Sequence, residues 1–150
     1  MQVAVLGLGR FGTQLALSLA AEGHEVLAID LSETEVQHIA NSVTKAAIAD
    51  MTDEQALRDL GIENMDVGVV ATAYLEASVL AAMNLLSLGV RDVYAKAQSD
   101  RHAMMLRRLG VQRVVEPEKE GGQRFAHLLR LREAKDYLSL TSEYGVAIYE

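Results

Sequence analysis

Cysteine is absent from the 150 residues, and proline occurs once. Without cysteine there is neither a disulfide framework nor a thiolate zinc site, and a reducing cytosolic setting is the simpler reading. Aromatic residues make up only 5% of the chain although half of it is apolar. Alanine, valine and leucine must therefore carry the core, as in a compact α/β protein rather than a disordered chain. Long hydrophobic runs are missing too. The alanine-leucine stretch of residues 77–88 is broken by Asn84, and nothing approaches the roughly 20 apolar residues of a bilayer span. The opening Met1-Gln2-Val3-Ala4-Val5-Leu6 lacks the basic start of a secretory signal and runs directly into glycine, so it reads as a first strand. The net charge of −7 argues against a general nucleic-acid binder, which needs a basic surface. Residues 101–150 nevertheless hold nine of the fourteen Lys and Arg against seven acids, a mildly basic third that reads as a solvated helix face or as a docking surface.

What is present is rhythm. Short apolar runs alternate with helical periodicity, the pattern of a parallel sheet covered on both faces. Six strands are expected at Gln2–Leu6, Glu25–Ile29, Lys45–Ala49, Val67–Ala71, Asp92–Lys96 and Arg113–Val115, with helices over Phe11–Ala21, Glu33–Asn41, Asp53–Leu60, Tyr74–Leu88 and Asp100–Leu109. Gly23, Gly61, Gly89 and Gly110 each fall just past a helix, where a left-handed cap is expected. Ser32 with Glu35, and Thr52 with Gln55, have capping-box spacing. Right-handed crossovers then favour an α/β, Rossmann-type doubly wound sheet of order 3-2-1-4-5-6. Pro117 opens a further helix, through Glu118 to about Lys135, whose Phe125, Leu128, Leu129, Leu131 and Leu138 form an apolar face wide enough to want a second partner. Tyr137–Leu140 and Gly145–Tyr149 read as two short strands round a Ser142-Glu143-Tyr144 turn.

Gly7-Leu8-Gly9-Arg10-Phe11-Gly12 follows the first strand and opens the first helix, the context in which such a pattern cradles phosphates. Gly7 permits the tight turn, Gly9 lets backbone N–H groups reach a phosphate, and Gly12 lets helix and strand pack closely. Asp30 ends the second strand eighteen residues past Gly12. There a carboxylate accepts hydrogen bonds from ribose hydroxyls and repels a 2′-phosphate, though it also reads as a helix cap ahead of Leu31-Ser32. Arg10 puts a planar guanidinium into the turn, suited to bidentate phosphate contact or simply to solvent. Asp50 with Met51, Thr72 with Ala73, and Lys96 close the third, fourth and fifth strands on the carboxyl edge where open α/β sheets bind ligands. Position alone leaves Asp50 readable as the start of the Met51-Thr52 turn and Lys96 as the neutraliser of a nearby carboxylate. Glu116, Glu118 and Glu120 offer oxygen ligands for a hard divalent ion, or only a solvated acidic helix start. The histidines at 24, 38, 102 and 127 have no metal spacing and read as structural or surface residues.

With the glycine turn, Asp30, Lys96-Ala97-Gln98 and Glu116-Pro117-Glu118-Lys119 taken together, roughly residues 1–140 resemble the KTN domain. This is the TrkA-N, or RCK N-terminal, lobe of Ktr- and Trk-type potassium uptake regulatory subunits. The resemblance implies a non-enzymatic, cytosolic gating subunit, peripheral to the membrane, that binds ATP, ADP or NAD(H) and signals to an integral membrane potassium transport subunit. It implies that Gly7, Gly9, Arg10, Phe11 and Gly12 surround the phosphates, Asp30 and Leu31 the ribose, and Asp50, Met51, Thr72 and Ala73 the adenosine, with Lys96 facing the same cleft. Glu118 would help hold a divalent cation, Mg or Ca. It further implies a helix after the sixth strand that crosses to a second subunit, and dimers that build an octameric ring in the full-length protein. On this reading residues 1–135 are the nucleotide-binding domain, and residues 136–150 are a linker towards a C-terminal lobe that the sequence does not include. An NAD-dependent oxidoreductase and a stand-alone NADH redox sensor are the competing readings. Against the oxidoreductase stand the missing substrate domain and the lack of a Tyr-x-x-x-Lys pair or an activated cysteine.

Overall fold

Four successive residues of the first strand, β1 (Gln2–Leu6), are buried, and their side chains alternate between two cores. Val3 and Val5 join one cluster, Ala4 and Leu6 the other. A strand apolar on both faces has to be central, because either face left open would expose a core to water. The computed structural model describes residues 1–132, 135–141 and 143–149. They fall into two compact units, Met1–Val115 and Glu116–Glu150.

In the first unit β1 is followed by α1 (Arg10–Ala21), β2 (Glu25–Asp30), α2 (Glu33–Ile39), β3 (Lys45–Ile48), α3 (Glu54–Asp59), a 3-10 turn at Ile62–Asn64, β4 (Val67–Val70), α4 (Leu75–Ser87), β5 (Asp92–Lys96), α5 (Asp100–Leu109) and β6 (Arg113–Val115). All neighbouring pairs are parallel, and the order is β3-β2-β1-β4-β5-β6, as the crossover rule requires. One face is covered by Ala16 of α1 with Val36 and Ile39 of α2. The other is covered by Leu57 of α3, Ala81, Ala82 and Leu85 of α4, and Ala103 and Leu106 of α5. Each buried leucine contributes about 1.5–3 kcal/mol relative to exposure. The chain leaves β1 towards one face and β4 towards the other, so a crevice opens between their carboxyl ends.

The four glycines expected past helices all have positive φ, and Ser32 caps α2 by accepting the Glu35 N–H. The second capping box is wrong by one residue. Asp53 caps α3, accepting the Gln55 and Ala56 N–H groups, because Thr52 is already engaged: its N–H and its hydroxyl both donate to Asp50 Oδ1.

The second unit comprises α6 (Pro117–Arg130) and an antiparallel hairpin of β7 (Asp136–Ser139) and β8 (Gly145–Ile148). The expected helix to Lys135 is shorter: Leu131, at φ −105° and ψ 59°, has left the helical region, while Glu133 and Ala134 lie outside the described residues. Ser142 of the expected turn also lies outside them. No described residue of α6 is buried; Phe125 and Leu129 are 61% and 59% exposed. Among the described residues no helix is long and apolar enough to cross a membrane.

Among the glycines of the first unit Gly12 has the least room: an added Cβ would lie 1.8 Å from the Gly7 carbonyl oxygen, a backbone atom that cannot swing aside. Gly12→Ala is expected to cost more than about 3 kcal/mol. The check is urea denaturation followed by circular dichroism, with loss of cooperative folding as the extreme outcome.

Candidate functional site

The glycine turn is held open from below. Gly7 donates its N–H to the Ile29 carbonyl at 2.8 Å and takes a φ of 103°. Leu8 is pinned on every side: its side chain is fully buried, its N–H donates to Asp30 Oδ2 at 2.7 Å, and its carbonyl accepts the Thr13 hydroxyl at 2.9 Å. The chain can then turn only at Gly9, which starts α1. The first amide of the turn to find a helical acceptor is that of Thr13, bonded to the Gly9 carbonyl. Among the described residues no acceptor takes the N–H groups of Gly9, Arg10, Phe11 and Gly12, no side chain caps the helix, and its first turn carries no acid. Unpaired amides and the positive end of a helix dipole together form a receptor for an anion.

The crevice above this turn is a cleft of about 900 Å3, lined by Gly7, Leu8, Gly9, Asp30, Leu31, Glu35, Asp50, Met51, Thr52, the stretch Ala71–Leu75, Ala77, Lys96 and Gln98. That volume lies in the upper part of the range of sites for cofactor-sized ligands. Of the residues singled out from the sequence, it brings together Gly7, Gly9, Asp30, Leu31, Asp50, Met51, Thr72, Ala73 and Lys96. Gly12 lies beneath, as packing. Phe11 packs against the core containing Val3 and Val5, with its ring 5.8 Å from Lys96 Nζ. Arg10 is exposed and lines a separate, adjoining depression of about 450 Å3 together with Leu8, Gly9, Thr13, Gln14 and Glu35. Glu118 belongs to the first turn of α6, in the second unit. Among the described residues no three His, Asp or Glu side chains come together as a metal-ligand group.

Asp30 does more than the sequence reading gave it. One carboxylate oxygen accepts from Leu8 and the other from the Ser32 N–H at 2.8 Å, so the group braces the glycine turn while its remaining lone pairs face the cleft. Asp50 sits at the adjoining mouth, and the hydroxyl and then the amide of Thr52 hold its carboxyl below the ordinary value of 3.8. Stability from that group is present at neutral pH and lost only in strong acid. Glu35, Tyr74, Leu75 and Gln98 were not expected in the cleft: the sequence marks Glu35 only as a partner of the Ser32 cap and Gln98 only as part of the Lys96-Ala97-Gln98 motif, and tertiary placement brings all four to it. The apolar rim they help build is conspicuous: Leu31 is 65% and Tyr74 80% exposed.

His102 and Ser78, both buried, form a hydrogen bond of 2.9 Å between Nε2 and Oγ. They are not a nucleophile and its base. Gln98 donates its N–H to Nδ1 at 3.2 Å, so Nδ1 is the acceptor and Nε2 carries the proton that is given to Ser78. The neutral ring therefore joins the β5–α5 loop to α4. Burial lowers its pKa from the ordinary 6.5.

Residues 3–117 match the TrkA-N domain family. Over 146 residues the chain is 38% identical to Ktr system potassium uptake protein C of Bacillus subtilis (strain 168), covering 97% of this chain and 66% of that protein's length. It is 33% identical over 150 residues to Ktr system potassium uptake protein A of Vibrio alginolyticus, covering 99% and 67% of the two. Among solved structures it is similar to the TrkA-N domain of inner membrane protein ybaL from Escherichia coli, with a TM-score of 0.77 and 19% identity over 85% of this chain and 95% of that one. It is also similar to GsuK bound to ADP, with a TM-score of 0.74 and 16% identity over 88% and 35% of the chains. A further similar structure is the GsuK channel bound to NAD, with a TM-score of 0.68 and 16% identity over 76% and 21%. At these identities the structural likeness concerns the fold.

Two outcomes follow from the geometry. Asp30→Ala leaves the Leu8 and Ser32 amides without their acceptor and is expected to cost about 1–3 kcal/mol in urea denaturation. Because the folded chain resists protonating His102 while the unfolded chain does not, stability is highest above the ordinary histidine value and falls as pH drops through it. The melting temperature should decline between about pH 7.5 and 5.5, with a slope of at most ~1.4 kcal/mol per pH unit from this proton, and His102→Gln should flatten that decline.

Proposed function

The chain belongs to the TrkA-N domain family, and from that premise we propose that it binds an adenine nucleotide in the β1/β4 cleft and regulates an integral membrane potassium transport subunit. One observation carries the binding claim. An added Cβ at Gly12 would meet the Gly7 carbonyl oxygen and one at Gly7 would meet the Thr72 nitrogen, yet one at Gly9 would meet nothing within 4 Å. Gly9 has φ −73° and ψ −162°, a conformation open to any residue. Nothing within the chain requires glycine there; a ligand resting on the unpaired amides does.

The phosphates then lie over Gly9, with Arg10 at the outer side of the turn. The ribose meets Asp30 beside Leu31, and the adenosine lies against Asp50, Met51, Thr72 and Ala73. The ligand is ATP, ADP or NAD(H), a range supported by the ADP and NAD of the GsuK structures. Glu118 contributes to a divalent cation, Mg or Ca, whose other donors come from ligand and partner. The transport role rests on the names of the relatives; this chain spans 66% of the length of the Bacillus subtilis protein. The exposed Phe125 and Leu129 face of α6 is the crossover surface of a homodimer, and such dimers form an octameric ring in the longer protein. The subunit works at the cytoplasmic face of the membrane, through its transport partner. Binding alters the subunit's conformation, and no chemical step is assigned to any residue.

Gly9→Ala separates ligand from packing. By calorimetry with ATP, ADP and NADH, the native chain should bind at least one of them, and the variant at least about tenfold more weakly, with its melting temperature unchanged within error. Undiminished binding by the variant would remove the phosphates from this turn.

A further inference from the structure

Two walls of the cleft are tied together behind its surface by one buried ring. Gln98, in the loop between β5 and α5, and Ala77, in the first turn of α4, both line the cleft. Ser78 follows Ala77, and His102 lies in the first turn of α5. The His102 ring accepts the Gln98 N–H at Nδ1, 3.2 Å away, and donates from Nε2 to Ser78 Oγ, 2.9 Å away. Ser99 holds the same loop to the helix by accepting the His102 N–H at 3.1 Å. His102 is 4% exposed and Ser78 fully buried, so neither side-chain bond has water ready to replace it.

Only a neutral ring can make both bonds. A second proton goes to Nδ1, the acceptor, and turns it into a donor that faces the Gln98 N–H, itself a donor. The bond to Ser78 survives, but Gln98 loses its acceptor and its amide has to move. The elements around the ring carry Glu76 on α4, Lys96 at the end of β5, Arg113 on β6, and Asp100 and Arg101 on α5 itself. None of them offsets the effect of burial on the ring. The first turn of α5 is also the positive end of a helix dipole, which opposes a charged ring in the same sense. From this arrangement we infer that His102 is a positioning residue of the cleft and links its ligand to a proton: the neutral ring keeps Gln98 at the binding surface, and protonation releases it. The inference rests on the nucleotide reading and adds regulation to it. Reciprocity then requires the bound nucleotide to make His102 harder to protonate.

The test uses the full chain and ADP. Calorimetric affinities are measured across the acid range for the native protein and for His102→Asn, whose side-chain oxygen takes the place of Nδ1 and does not titrate, with a thermal melt of each at every pH. The phosphate of ADP titrates in the same range but equally for both proteins, so the ratio of the two affinities isolates His102. Relative to the variant, the native affinity should fall about threefold or more between about pH 7.5 and 5. In parallel the His102 ring of the native protein is followed by 15N NMR. It should be the Nε2–H tautomer at neutral pH, and saturating ADP should move its titration to lower pH. This second arm decides the matter even where the variant does not fold. If ADP binds the native chain but the ratio stays constant, or the His102 titration ignores ADP, the proton link is overturned while the nucleotide reading stands. If the native chain binds no ADP even at neutral pH, both fall.

Discussion

The closeness of Gly12 to the Gly7 carbonyl oxygen is the constraint on which the rest of the molecule depends. That contact lets α1 lie directly on β1, and it aims the first turn of the helix across the carboxyl edge of the sheet. A side chain at Gly12 would push the helix outward and rotate its amides away from the crevice. The same turn is stitched to β2 through Gly7 to Ile29 and Leu8 to Asp30, so the position of the turn is set by the sheet beneath it. An anion receptor built this way needs no basic side chain to exist. Charged groups only refine what the backbone supplies.

Around that turn the carboxylates divide their labour by hydrogen bonding. Asp30 braces the turn and still offers lone pairs to the cleft. Asp50 is held ionised by Thr52, and the same contact displaces the cap of α3 to Asp53. His102 links Gln98 to Ser78, and its tautomer makes it a donor to the serine rather than a base for it. The cleft is thus a binding surface whose polar groups are mostly committed to holding its shape.

The sheet order and six strands were legible in the sequence because doubly buried strands and helix periodicity leave few alternatives. Gly7, Gly9, Asp30, Asp50, Thr72 and Lys96 were legible because strand ends on one edge must share a crevice. The placement of Arg10 was not, since a residue in a helix's first turn can point to either side of a glycine loop, and rotamer and neighbours decide which. The capping-box spacing of Glu35 and the motif around Gln98 say nothing of a cleft, and Tyr74 carries no local signature. The shifted cap at Asp53 was hidden because Thr52 and Asp53 both offer a side-chain oxygen to the Gln55 N–H, and the Thr52 hydroxyl is turned to Asp50. The shortened α6 turned on Leu131 leaving helical geometry, which periodicity does not register.

The central claim is that adenosine phosphates rest on the unpaired amides of the glycine turn. It is tested most directly by adding ADP to the 15N-labelled protein and following each backbone amide resonance. The account predicts that the largest changes cluster at Gly9, Arg10, Phe11 and Gly12, with a second group at Asp30 and Leu31. Changes confined to other surfaces, or a spectrum that does not respond, would contradict it.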